Sequence, residues 1–211
     1  MILLFLYDIG GDSMLELILV RHGETTSQIT NKYLGVTDIP LSERGKRQAM
    51  SLARTFAREK LDAIYTSPLT RAKETADPIA KMLYLESQVV SDLCDRNYGI
   101  WEGLTMDEIQ EKHPNEYDLW YKTWPEYEIP QGESELQVYE RNGNALKKIL
   151  ENHDKGKILV VSHQVCIRNM LSMLFDMNID SGWHFQINHA GICRLKIDEY
   201  GYATLTSFNE I

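Results

Sequence analysis

Two runs of apolar residues end in groups suited to phosphate chemistry. LILV is followed by Arg21, His22, Gly23, Glu24 and Thr25, and ILVVS is followed by His163. A charged cluster directly after a buried strand is poor core filling, and in open α/β sheets ligands sit beyond the carboxyl ends of the strands. A single strand-end histidine is often structural; two of them, one preceded by arginine, point to a site. Arg71, near the start of the helix after DAIYTS, can approach the same edge. Arginine offers planar, bidentate donors that match phosphate oxygens. A neutral histidine is a competent nucleophile and can carry a phosphoryl group on nitrogen. A helix opening after His163 adds backbone N–H groups and a favourable dipole for an anion. Phosphoryl transfer needs mainly positioning and charge stabilisation, which two arginines and a second histidine supply. An alkoxide leaving group also needs a proton. The stretch DLCDRNYGIWEG (92–103) offers two carboxyl groups for that, Asp95 and Glu102, and spacing alone does not choose between them.

The elements that must position these residues alternate strand with helix. LELILV (15–20) and KILVVS (157–162) are continuous apolar runs, as expected of strands buried on both faces. DAIYTS (62–67) and SQVVS (87–91) read as shorter strands. A helix is expected from about Ser42, with Ala49, Leu52, Ala53 and Phe56 at helical spacing. PLTRAKETADPIAKML reads as another, with Pro68 near its first turn and Pro78 kinking or interrupting it. TMDE (105–108) and SELQ (134–137) are capping boxes that open two more helices, and QVCIRNMLSML is a last one. The tail, HFQINHAGICRLKIDEYGYATLTSF, alternates polar and apolar around the turn EYGY and suits edge strands or a hairpin. The pattern predicts an α/β fold, a three-layer sandwich whose mainly parallel sheet is flanked by helices.

One domain is expected from residues 14–211, with an insertion at about 105–133. That insertion holds Tyr117, Trp120, Tyr121, Trp124 and Tyr127 among Pro114, Pro125 and Pro130. It reads either as a unit packing its own aromatics or as a cap over a pocket. Residues 1–13 lack a basic n-region and a cleavage site, so they read as an extension or an upstream start rather than a signal peptide. The net charge of −9 disfavours nucleic acid and anionic membranes as partners, while leaving room for a local basic pocket and for a homo-oligomer. Cys94, Cys166 and Cys193 are odd in number and form no C-x-x-C, which suggests a reducing, cytoplasmic compartment. The six histidines show no metal-ligand spacing, so no metal site is expected.

LILVRHGET resembles the signature of the histidine phosphatase superfamily, the phosphoglycerate mutase-like proteins. The likeness continues in family order through PLSERGKRQA, TSPLTRAKETA, LCDRNYGIWEG, GES (132–134) and VVSHQVCIRNML, covering essentially residues 15–207. The resemblance implies a phosphoglycerate mutase-like fold and chemistry without metal, nucleotide or other cofactor. It makes His22 the phosphorylated nucleophile, Arg21 and Arg71 the clamp on the phosphoryl oxygens, and His163 the completion of the phosphate pocket. Asp95 falls where most members carry the acid Glu, one carbon–carbon bond shorter, about 1.5 Å. Glu102 falls in the W-E-G part and reads as support for the turn, and Glu24 as structural.

Other departures bear on the substrate. Gln28 stands where many members have Asn and Gln164 where Gly is usual, so both are expected to contact substrate. Leu34 removes a polar contact that mutases keep. Cys94 and Cys166 read as filler near the site. The resulting expectation is a phosphomonoester hydrolase that works through phosphohistidine on a small phosphorylated metabolite. The alternatives are a cofactor-dependent mutase and a phosphate-binding regulatory protein of weak activity.

Overall fold

The computed structural model describes residues 14–26 and 32–210; the expectations for residues 1–13 and for Gln28 lie outside the described residues. Six strands form one sheet: β1 (Leu15–Arg21), β2 (Ala63–Thr66), β3 (Ser87–Val89), β4 (Gly156–Ser162), β5 (Ile192–Ile197) and β6 (Ala203–Glu210). Their order is β3-β2-β4-β1-β5-β6. The first four run parallel, with Leu19 opposite Val160 and Ile64 opposite Leu159. β5 is antiparallel to β1 and forms a hairpin with β6.

Alternation of side chains across each strand builds the layers. Leu17 and Leu19 of β1 and Ile158 and Val160 of β4 face one side, where Leu146 and Ile149 of α5 (Glu135–Glu151) and Ile167 and Met170 of α6 (Gln164–Leu174) cover them. Ile18, Val20, Leu159 and Val161 face the other side, covered by α1 (Glu43–Phe56) and α2 (Thr70–Leu83). This is the expected three-layer sandwich, and both faces of the central strands are buried as their apolar runs require.

The caps follow the sequence. The Ser42 hydroxyl accepts from the Gly45 N–H, and Thr105 and Ser134 open α3 (Met106–Lys112) and α5 with reciprocal capping boxes. α2 departs from expectation. Pro78 neither ends nor interrupts it, while Pro68 stands near the first turn as expected, just before the Leu69 cap. Burial of Ala72, Ala76, Ile79 and Ala80 against the sheet outweighs the hydrogen bond that proline removes. Asp38 caps the helix from outside, accepting from the Thr70 N–H and hydroxyl, each at 2.7 Å.

The tail is a hairpin only from Ile192 onward. Residues Ile179–His184 form a 3-10 turn, Phe185 is extended, and 185–188 belong to neither helix nor strand. Segment 105–133 contains α3 and α4 (Pro114–Thr123), and its Tyr117, Trp120 and Tyr127 pack with aromatics from outside it. Trp101 meets Trp120 edge-on and stacks on Tyr127, over buried Ile109 and Ile129. Because Trp101 belongs to the 92–103 stretch, this cluster anchors that loop.

Gly23 and Gly45 touch backbone to backbone, which seats the loop after β1 on the first turn of α1. A Cβ on Gly45 would strike the Glu24 carbonyl oxygen. Gly45→Ala is therefore expected to lower stability by about 1–3 kcal/mol in urea denaturation. The intrinsic helix preference for alanine acts in the opposite direction, so a rise in stability would show that the two loops do not meet this way.

Candidate active site

The carboxyl ends of β1, β2 and β4, the loop after β3 and the residues before β5 converge on one edge of the sheet. His22 is at the end of β1 and only 6% exposed. Its Nδ1 lies 2.7 Å from the Gly23 carbonyl oxygen. A carbonyl only accepts, so Nδ1 carries the proton and the lone pair is left on Nε2. Burial, followed by the charges of Arg71 and Arg21, holds its pKa well below the usual histidine value. The imidazole is therefore neutral at neutral pH with a defined nucleophilic nitrogen.

His163 directly follows β4 and is fully buried. Its Nε2 is 2.7 Å from the Ser67 hydroxyl, and its ring centroid is 5.1 Å from that of His22. Its Nδ1 is buried without a hydrogen-bond partner, 3.4 Å from Asp95 Oδ2. Burial, then the repulsion a protonated His22 would add and the charges of Arg71 and Arg21, also hold this imidazole well below the ordinary pKa.

Arg71 lies in the first turn of α2, 3% exposed. Its Nη2 donates to the Gly35 carbonyl at 2.6 Å and to Asp95 Oδ2 at 3.1 Å, and its Nη1 donates to the Thr37 carbonyl at 3.0 Å. Arg21 donates through Nη1 to the Ile187 carbonyl and through Nη2 to Nε2 of His189, at 2.8 and 2.9 Å, while its Nε is buried without a partner. Burial lowers the Arg21 pKa to about 10, still cationic at neutral pH.

Asp95 reaches the pocket despite its short stem. Arg141 on α5 pulls the chain inward by donating to the carbonyls of Asp92, Cys94 and Asp95, and Asn142 donates to Asp92 as well. Ser162 and Cys166 grip the Leu93 and Cys94 carbonyls from β4 and α6. Burial raises the Asp95 pKa above the ordinary carboxylate range, against the opposing charge of Arg71 and the Arg96 N–H. Glu102 lies away from this centre. Its carboxylate accepts from the N–H groups of Gly35, Val36, Thr37 and Tyr98 and from the Thr37 hydroxyl. It thus organises the loop whose carbonyls hold Arg71.

The remaining candidates fall into place around these groups. Glu24 accepts from the Ser42 hydroxyl and pairs with Arg44, so it braces the loop rather than facing the histidines. Gln164 is the first residue of α6, at the edge where His163 ends β4. The Cys94 and Cys166 thiols are pushed up by burial, the latter to about 12, and neither is a ready thiolate. His189 was not foreseen: its ring is 5.5 Å from that of His22, and burial lowers its pKa to about 4. A histidine just before an antiparallel strand reaches the same sheet edge as one just after a parallel strand, which is the signal HAGI carried. A surface cleft lined by Glu16, Lys60, Asp62 and Lys157 lies at the opposite end of β1 and β4, remote from both histidines. Among the described residues, no three His, Cys, Asp or Glu side chains converge as a metal site would require.

Buried Arg71 and half-buried Arg21 therefore lie beside the Asp95 carboxyl group, which burial drives toward its neutral form, with the neutral imidazoles of His22 and His163 among them. Such a pocket takes an anion and presents Nε2 of His22 to it. The profile of the histidine phosphatase superfamily (branch 1) matches residues 17–210, and the chain belongs to that family. It is a phosphoric monoester hydrolase of small phosphorylated metabolites. Phosphoserine phosphatase 1 of Hydrogenobacter thermophilus is 36% identical over 186 residues, 88% of either chain. The α-ribazole phosphatase structure from Shigella flexneri superposes with a TM-score of 0.85 at 27% identity, over 93% of this chain and 96% of that one. The Entamoeba histolytica phosphoserine phosphatase, solved with 3-phosphoglyceric acid, superposes with a TM-score of 0.79 at 31% identity, over 93% and 98% of the two chains.

Glu102→Gln turns an amide N–H₂ toward a cluster of donors. Loss of about 1–3 kcal/mol of stability is expected, with weaker binding of inorganic phosphate because Arg71 loosens. Denaturation midpoints and calorimetry measure the two effects, and phosphate affinity equal to wild type would break the link from Glu102 to Arg71.

Proposed function

We infer that the enzyme hydrolyses its substrate in two steps through phosphohistidine. Nε2 of His22 attacks phosphorus, the P–O ester bond breaks, and Asp95 donates its proton to the leaving oxygen. Ionised Asp95 then takes a proton from water as that oxygen attacks phosphorus, the P–N bond breaks, and inorganic phosphate leaves. Arg21, Arg71 and His163 hold the phosphoryl oxygens in both steps, with the Gln28 amide assigned to the phosphate and Gln164 to the mouth. The observation that carries this reading is the Nδ1–Gly23 contact of 2.7 Å, which leaves the lone pair of His22 on Nε2.

The aromatic segment 105–133, tied to Trp101 of the acid loop, is assigned to the leaving-group side. Phosphoserine is the first substrate to test, given the phosphatases of that name among the relatives. Three free thiols fit a cytoplasmic setting, and among the described residues no helix is long and apolar enough to cross a membrane.

Purified protein is expected to release phosphate from p-nitrophenyl phosphate equally with and without a chelator. His22→Ala is expected to lose at least about 10³-fold in kcat, together with the acid-labile phosphoenzyme. Undiminished turnover by that variant removes His22 as nucleophile.

Asp95→Asn is expected to cost about 10²–10⁴-fold on an alkyl phosphate and much less on p-nitrophenyl phosphate, whose leaving group needs no proton. The pH profile carries the same signature. His22, with its lowered pKa, stays unprotonated into mildly acidic solution. Asp95, with its raised pKa, must keep its proton, so the rate falls as pH rises through that value. The alkaline limb should vanish in Asp95→Asn; a limb that persists would identify another acid.

A further inference from the structure

Arg168 takes no part in the reaction described above, and among the described residues it forms no ion pair. It lies on α6 four residues after Gln164, one turn along the same face. Its Nε donates to the Phe185 carbonyl at 2.6 Å, and its Cζ lies 5.0 Å from the centre of the Trp183 ring. Among the described residues, its two Nη nitrogens have no hydrogen-bond partner and no carboxylate forms an ion pair with it. The Arg168 side chain is half-buried, and Trp183 is 61% exposed. A guanidinium anchored at one nitrogen over an exposed indole is held in place while its fork stays open.

The strap from Phe185 to Asn188, which belongs to neither helix nor strand, sets this fork beside the pocket of His22 and Arg21. Phe185 has extended backbone, with φ −99° and ψ 116°, and Ile187 is buried between exposed Gln186 and Asn188. Carbonyls two residues apart on an extended chain point the same way, about 6–7 Å from each other. The Phe185 carbonyl holds Arg168, and the Ile187 carbonyl holds Arg21 Nη1 at 2.8 Å. The two guanidinium groups therefore stand side by side, close enough that the charge on Arg168 contributes to lowering the Arg21 pKa.

We propose that Arg168, backed by Trp183, determines specificity by binding a carboxylate on the leaving group, so that the preferred substrates are phosphomonoesters of short hydroxy or hydroxyamino acids. The assignment rests on the phosphomonoesterase reading of the site. A planar fork with two free nitrogens matches a carboxylate. The spacing of the strap carbonyls suits a phosphoryl group and a carboxylate separated by two carbons and the ester oxygen. The charge of Glu135 also reaches Arg168, which favours a monoanion there over a second phosphate.

The test compares kcat/KM for O-phosphoserine and O-phosphoethanolamine, which differ only by the carboxylate, in wild type, Arg168→Gln and Arg168→Lys. The expected ratio favours O-phosphoserine in wild type and falls about 10- to 100-fold in Arg168→Gln, mainly through KM, with a smaller fall in Arg168→Lys. Equal losses on both substrates would mark a structural residue, and an unchanged ratio would remove Arg168 from specificity; either overturns the proposal. If wild type hydrolyses neither ester, the phosphomonoesterase reading fails instead. Arg168 is then judged by calorimetry, where O-phosphoserine binding should weaken 10- to 100-fold relative to inorganic phosphate in Arg168→Gln, and equal weakening of both, or of neither, overturns the proposal.

Discussion

Arg71 is the interaction on which the site depends. Its guanidinium is taken out of water and held at once by the Gly35 and Thr37 carbonyls and the Asp95 carboxyl group. A buried cation is tolerated only where its donors are satisfied. The loop at 35–37 must therefore be ordered before Arg71 can be buried, and Glu102 orders it by gathering its N–H groups. The W-E-G turn, the loop after β1 and the first turn of α2 thus form one connected unit. Disturbing any of them reaches the phosphoryl pocket through Arg71.

The chemistry follows from how burial acts on groups of opposite charge type. Withdrawal from water disfavours every charged form, so it lowers the histidine pKa values and raises that of Asp95. One environment thereby favours the neutral form of both His22 and Asp95, the groups proposed as nucleophile and acid. Arg21 stays charged because its pKa, lowered by burial to about 10, still lies above neutrality. An incoming phosphoryl dianion then meets uncompensated positive charge in a place where water no longer screens it.

The loop of Asp95, the proposed acid, shows how a shorter residue is accommodated. Asp95 gives up a carbon–carbon bond of reach, and Arg141 offsets it by drawing the carbonyls of 92, 94 and 95 toward α5. Arg141 is in turn held by Glu133 of the GES stretch. Trp101 carries the loop's other end into the aromatic cluster of the insertion. Segment 105–133 thus joins the site through the loop that bears Asp95.

The strands, their burial on both faces and the three capped helix starts were legible in the sequence because they depend on local period and local hydrogen bonding. The gathering of Arg21, His22, Arg71 and His163 was legible because parallel strands put their carboxyl ends on one edge. What the chain alone could not disclose was decided by contacts between distant segments. Pro78 stays helical because α2 is packed on the sheet. His189 reaches His22 because β5 runs antiparallel beside β1. Asp95 and Glu102, seven residues apart and of like chemistry, are separated only by their partners: Arg71 and His163 for one, the 35–37 loop for the other. Residue type determined which groups could act; the long-range pairing of strands and loops decided which of them meet, because a side chain's distance to a partner far along the chain is set by packing and not by its neighbours in sequence.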